Sequence, residues 1–169
     1  MLYCIVGPSG SGKSTVVEKL NKMGYKSPDS YTTRPKRFPE EKGHTFITEE
    51  EFDKLEHIVA FTIFNGFRYG VTKEMLQDCD FYIVDPAGIE YLKACDEEIE
   101  FRVIGLELEP SDCAVRMLSR GDDPKNIIER LDNDWFMFRN FKELCDYRIN
   151  ASEDLNEIVK RILNIVVSN

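Results

Sequence analysis

The N-terminal segment constrains what this chain can fold into more than any other part of it. Leu2-Tyr3-Cys4-Ile5-Val6 is an apolar run of β character, and it passes directly into Gly7-Pro8-Ser9-Gly10-Ser11-Gly12-Lys13-Ser14-Thr15. The spacing is G-x-x-x-x-G-K-[ST], set between a strand and an amphipathic pattern that predicts a helix from about Lys13 to Met23. Glycines at 7, 10 and 12 let the backbone turn so that successive N–H groups face inward on an anion. The helix that follows adds the partial positive charge of its first turn. Lys13 is placed to reach the terminal phosphates of a nucleotide, and the Ser14 hydroxyl to ligate Mg²⁺. A merely flexible Gly/Ser loop would not require a lysine at that position. Gly7, Ser9, Gly10, Ser11, Gly12, Lys13, Ser14 and Thr15 are therefore the candidate ATP-binding residues.

A chain of 169 residues is long enough for one domain with a substantial core. Its five cysteines are scattered singly with no C-x-x-C pair, which speaks against a zinc site and for reduced thiols. With no membrane-length apolar run and no leader-like segment, the expected location is cytoplasmic. The net charge of −9 argues against non-specific binding to nucleic acid or an anionic membrane, and the phosphate loop points to small-molecule nucleotides as partners. Against that acidic background, Arg34, Lys36 and Arg37 form one local positive cluster, and Arg116 and Arg120 another.

Further along, Ser30 to Phe46 is polar and Pro-broken and reads as loop. Thr48-Glu49-Glu50-Glu51-Phe52 is a capping-box pattern. Val59–Phe64 and Phe67–Val71 flank the turn signal Asn65-Gly66, which predicts a hairpin. Residues 30–72 thus read as a small α+β insertion. Phe81–Asp85 and Phe101–Leu108 are apolar runs of the buried parallel type. Helices are expected from about Gly88 to Cys95, from a Ser111 cap to Arg120, from Pro124 to about Cys145, and from a Ser152 cap to Val167. A short strand is expected at Tyr147–Ile149. Ile127, Leu131, Trp135 and Phe138 form a stripe at helical spacing, which predicts core. Strands alternating with helices imply an α/β, three-layer fold around a parallel sheet.

With these segments placed, the chain resembles the guanylate-kinase-like nucleoside monophosphate kinases over nearly its whole length. The resemblance is carried by the phosphate loop, by Ser30-Tyr31-Thr32-Thr33-Arg34-Pro35-Lys36-Arg37, by Gly66-Phe67-Arg68-Tyr69-Gly70, by Arg116-Met117-Leu118-Ser119-Arg120-Gly121, and by Asp146-Tyr147-Arg148-Ile149-Asn150. It implies a P-loop kinase core (1–29 and 73–169), an acceptor-binding insertion (30–72) and a short lid (about 116–130). It also implies transfer of the ATP γ-phosphoryl group to a nucleoside monophosphate. Positioning and charge neutralisation carry most of such a transfer. The resemblance assigns Arg34 and Arg37 to the acceptor phosphate, where a planar guanidinium binds in bidentate fashion. Ser30 and Tyr69 match further acceptor-site positions. Arg116, Arg120 and Arg130 match lid arginines over the transferring group, and Asp85 matches an acidic residue supporting Mg²⁺.

The chain departs from the family pattern at the base. By motif register, the glutamate, serine and aspartate that read guanine are replaced by Ala60, Val71 and Ala87. Thr72 is the candidate replacement for the lost hydroxyl, with Asn65 and Thr62 also within reach of the base. A shortened Gly43-His44-Thr45-Phe46 puts His44 where the family has a phosphate-contacting tyrosine. These departures predict intact phosphate handling with altered base reading. The alternatives are a small phosphosugar kinase of the ribose-bisphosphate phosphokinase type, and a non-catalytic interaction module. The retained Gly12-Lys13-Ser14 disfavours the module.

Overall fold

The computed structural model describes residues 1–36 and 38–169. Two sheets organise them. The main sheet contains β1 (Leu2–Val6), β6 (Phe81–Ile83), β7 (Phe101–Glu107) and β8 (Tyr147–Asn150), in the order β6-β1-β7-β8 and parallel throughout. The smaller sheet contains β2 (Ser30–Thr32), β3 (His44–Phe46), β4 (Ile58–Phe64) and β5 (Phe67–Thr72), in the order β3-β2-β5-β4. The segment 30–46, expected as loop, therefore supplies two short strands, with β2 pairing parallel to β3 and antiparallel to β5. Polar composition hid them, because pairing to the hairpin, rather than intrinsic propensity, holds them.

The strand β1 shows why the core has two halves. Its side chains alternate across the sheet. Leu2, Cys4 and Val6 join Ile89 and Leu92 of α4 (Pro86–Ala94) and Phe141 of α7 (Phe141–Leu144) on one face. Tyr3 and Ile5 join Val16, Val17 and Leu20 of α1 (Lys13–Lys22) and Ile158, Val159 and Ile162 of α8 (Leu155–Ser168) on the other. The result is the expected helix–sheet–helix layering. A third cluster, Cys113, Met117 and Ile127, joins α5 (Pro110–Ser119) to α6 (Pro124–Met137).

In the insertion, the Thr48/Glu51 capping box forms at the start of α2 (Glu49–Phe52). The β4–β5 hairpin turns at Asn65 and Gly66, both at positive φ, as a type I′ turn requires. After β5 comes α3 (Lys73–Leu76), with Thr72 at its N-cap.

Several helix boundaries differ from expectation. The helix starting at Pro124 stops at Met137, and α7 is a separate turn. The cap of α8 is Asp154, whose carboxylate accepts the Asn156 N–H, instead of Ser152. The N-cap of α5 is Glu109 instead of Ser111, because Pro110 already fits the first helical position. Trp135 is 71% exposed and not core. Helix α6 packs inward through Ile127 and Leu131 against α5, and Phe138, just after its end, packs against the core beside Phe141, so Trp135 alone of the stripe faces outward.

Candidate active site

The phosphate loop follows β1 and is fixed from below. Gly10 and Gly12 have φ of +80° and +95°, and a Cβ at Gly10 would stand 2.8 Å from the Cys113 carbonyl. Side chains are excluded at Gly10 on both counts. Gly12 is also the N-cap of α1 and makes no side-chain bond there, so the first-turn N–H groups remain for an anion. The Ser11 hydroxyl is buried with no hydrogen-bond partner among the described residues. Ser14 and Thr15 are exposed on the first turn of α1.

Lys13 folds back over its own loop. Its Nζ donates to the Gly7 carbonyl at 2.5 Å and the Pro8 carbonyl at 2.9 Å. Burial lowers its pKa to about 8, against the opposing pull of nearby Asp134. The Ser9 N–H donates to Asp134 Oδ2 at 2.7 Å.

A cleft of about 300 Å³ runs from this loop to the insertion. Gly7, Ser9 and Lys13 line one end; Ser30, His44, Thr62 and Tyr69 line the other. Asp85 and Gly88 form part of its wall, and Arg130, Asp134 and Met137 of α6, with Phe138 just beyond it, close it. The Ser30 hydroxyl and His44 Nδ1 are 2.9 Å apart, and the His44 and Tyr69 rings meet edge-on at 5.6 Å. Burial, with the nearby Arg34 charge, holds His44 below the usual histidine pKa.

Arg34 stands behind this group, near Tyr69 and His44. Its guanidinium is held in bidentate fashion by Glu41 at 2.8 and 3.2 Å and donates to the Pro35 carbonyl at 2.9 Å. Its buried Nε has no hydrogen-bond partner among the described residues. Arg37 lies outside the described residues.

The arginines expected in the lid separate into two kinds. Arg120 donates to both carboxylate oxygens of Asp122, at 2.8 and 2.5 Å, and Arg130 lies 3.9 Å from the same carboxylate. Arg116 has other partners. It reaches under the phosphate loop and donates to the Ser11 carbonyl at 3.2 Å and the Ala151 carbonyl at 2.7 Å. It ties the loop to the end of β8, because the α5 face that carries it packs against the loop.

The three positions expected at the base by motif register do not line the cleft. Ala60 and Val71 are cross-strand partners and are 1% and 0% exposed, inside the core. Ala87 is exposed on the first turn of α4 and does not line the cleft. Thr72 is buried at the α3 cap, hydrogen-bonds with Glu74, and does not line the cleft either. What reaches the cleft instead is Thr62, one side-chain repeat further toward the turn, and Asp85. Asp85 Oδ1 accepts the Gly88 N–H at 2.7 Å, and its carboxylate also hydrogen-bonds with Thr62. Burial raises the Asp85 carboxyl above its ordinary value while those bonds oppose the rise.

Sequence reasoning missed Asp134 and Glu41. Each is an acidic side chain with no motif around it, and only its tertiary partner marks it. The position of Asp134 one helical turn after Arg130 was the single signal available.

No protein-family model matches the chain. Guanylate kinase of Schizosaccharomyces pombe is 31% identical over 147 residues, covering 76% of this chain and 70% of that protein. Guanylate kinase of Thermotoga maritima is 30% identical, covering 99% of this chain and 86% of that protein. A putative adenylate kinase of Thermoplasma volcanium is 27% identical, with 98% and 94% covered. The crystal structure of guanylate kinase from Anaplasma phagocytophilum superposes with a TM-score of 0.74 at 24% identity, covering 99% of this chain and 85% of that one, a likeness of fold. A glycine-lined anion cradle, a cleft leading from it to an α+β insertion, and curated relatives at this level of identity over most of the chain lead to one conclusion: the chain belongs to the guanylate kinase family of P-loop nucleoside monophosphate kinases, which are phosphotransferases.

Proposed function

We propose that the protein transfers the γ-phosphoryl group of ATP to a purine nucleoside monophosphate, with GMP the preferred acceptor. The observation that carries this reading is one cleft lined at one end by Gly7, Ser9 and Lys13 and at the other by Ser30, His44, Tyr69 and Thr62, with Asp85 in the wall. Donor phosphates would occupy the loop and the first turn of α1. Mg²⁺ would be held by the Ser14 hydroxyl together with phosphate oxygens, and when bound it neutralises developing charge. The exposed Ser14 side chain and the uncapped first turn of α1 fit that role. The acceptor phosphate would meet Ser30, His44, Tyr69 and Arg34, with Arg34 exchanging Glu41 for phosphate. Arg120 and Arg130 would turn from Asp122 to the transferring group.

Guanine presents an N1–H and an amino group side by side, and a carboxylate accepts from both. Asp85 is the cleft-wall carboxylate that hydrogen-bonds with Thr62, and Thr62 orients it. In this reading Asp85 serves the base, not the Mg²⁺ shell. A reader with one carboxylate discriminates less than one with several, so base selectivity is altered in degree. Losing one buried hydrogen-bonding partner costs about 1–3 kcal/mol, or roughly ten- to a hundredfold in rate.

The test is a panel of GMP, dGMP, IMP, AMP, CMP and ribose phosphates with Mg²⁺ and ATP, on wild type and Asp85→Asn. GMP should lead IMP and AMP by about ten- to a hundredfold, and Asp85→Asn should erase most of that lead while the KM for ATP holds. Equal turnover of AMP and GMP by the wild type, or an unchanged ranking in the variant, would refute the reading. Phosphorylation of a ribose phosphate in preference to every nucleotide would replace it.

A further inference from the structure

A phosphate cradle needs positive charge and free N–H donors, yet one carboxylate stands in its mouth. Asp134 projects from α6 one turn after Arg130, is half-buried, and accepts the Ser9 N–H at 2.7 Å. Burial lowers the Lys13 pKa, and the Asp134 negative charge opposes that fall. Ser9 belongs to the loop that turns its N–H groups on an anion, and it lines the same cleft as Lys13 and Arg130. A phosphate oxygen and a carboxylate oxygen are equivalent acceptors, and one N–H at that distance serves one of them. Two anions also repel at this range, more strongly in a half-buried site than in water. Across the cleft, α6 meets the hairpin turn through the 3.4 Å contact of Asn133 with Asn65.

We propose that Asp134 is a specificity-determining residue for the donor site. Its carboxylate occupies the phosphate position at Ser9 in the ligand-free protein, and the terminal phosphate of the donor must displace it. The exchange sets affinity for polyphosphate chains and leaves the acceptor untouched. It also joins donor binding to the position of Arg130, because the two side chains share one helical face four residues apart. This inference rests on the reading of the loop as the donor site.

The test is titration calorimetry of the full chain with inorganic tripolyphosphate and with ATP, each in EDTA and with Mg²⁺, on wild type, Asp134→Asn and Asp134→Ser. Thermal melts report whether each variant is folded. Removing the charge should tighten tripolyphosphate and metal-free ATP by about tenfold, the scale of one charge-assisted hydrogen bond no longer in competition. GMP affinity in the absence of donor should stay within about twofold, a split that a merely structural role would not produce. In the wild type, NMR should show the Ser9 amide and the Asp134 carboxyl carbon shifting together as tripolyphosphate is added, and this measurement stands if the variants fail to fold. Unchanged or weaker tripolyphosphate binding in both folded variants overturns the proposal. So does a loss confined to Mg²⁺-containing titrations, which would make Asp134 a metal-facing residue, and so does an Asp134 signal that ignores the ligand. A wild-type protein that binds no tripolyphosphate overturns the donor-site reading as well, whereas normal wild-type binding with unaltered variants overturns this inference alone.

Discussion

Replacing Glu41 by alanine should weaken the fold and yet increase what the acceptor contributes to it. The Arg34 and Glu41 side chains are only 10% and 9% exposed, and two bonds of 2.8 and 3.2 Å join them. Removing one partner of a buried pair costs about 3–5 kcal/mol, because a charge is left desolvated. Here Arg34 keeps the Pro35 carbonyl and its contact with Tyr69. The expected loss is therefore smaller, about 2–3 kcal/mol. At this chain length each kcal/mol moves the melting temperature by about 2–4 °C, so Glu41→Ala should melt about 5–10 °C below wild type. Glu41→Gln keeps an oxygen acceptor and should fall between them. A saturating nucleoside monophosphate should then recover much of the loss, because its phosphate supplies the missing anion and binding only to the native state adds stability. The assay is a thermal melt of the three proteins with and without GMP. A Glu41→Ala protein that melts within about 2 °C of wild type refutes the energetic reasoning. A GMP-induced rise no larger than in wild type refutes the assignment of Arg34 to the acceptor phosphate.

Two other expectations follow from the same geometry. Arg116→Met should lower ATP affinity by about tenfold or more, through loss of the guanidinium brace between the Ser11 and Ala151 carbonyls, while GMP binding by calorimetry changes little. His44 is held below its ordinary pKa by burial and by Arg34. The unfolded chain therefore takes up that proton first as the pH falls below about 6.5, and the His44 share of stability is lost from there down to its native pKa. Above that range it has no effect. Urea denaturation at pH 7.5 and 5.5 should show a smaller acid loss for His44→Gln than for wild type; equal losses would mean that His44 titrates as if exposed.

Those features of the chain that depend only on neighbouring residues were legible in its sequence. The strand–loop–helix at Leu2–Lys22, the Thr48/Glu51 box and the Asn65-Gly66 turn are set by backbone conformations that particular residues favour. The alternation of β1 across two hydrophobic faces follows from the same local rule. Where a side chain stands along a shared face was not legible. Ala60, Thr62, Tyr69 and Val71 lie on one face of the β4–β5 hairpin, but that face is covered by core at the Ala60–Val71 pair and opens to the cleft at the Thr62–Tyr69 pair. Only the docking of the hairpin against the main sheet decides where the one becomes the other. The same holds for the charges. Sequence supplied Lys13, Arg34, Arg120 and Arg130 as phosphate-seeking cations. Their present partners, the loop carbonyls, Glu41 and Asp122, are near in the chain but no motif marks the pairing, and the Asp134 carboxylate is 125 residues from the Ser9 N–H that it accepts. Electrostatic pairing depends on distance in space, and a linear order of residues does not contain it until the chain is folded.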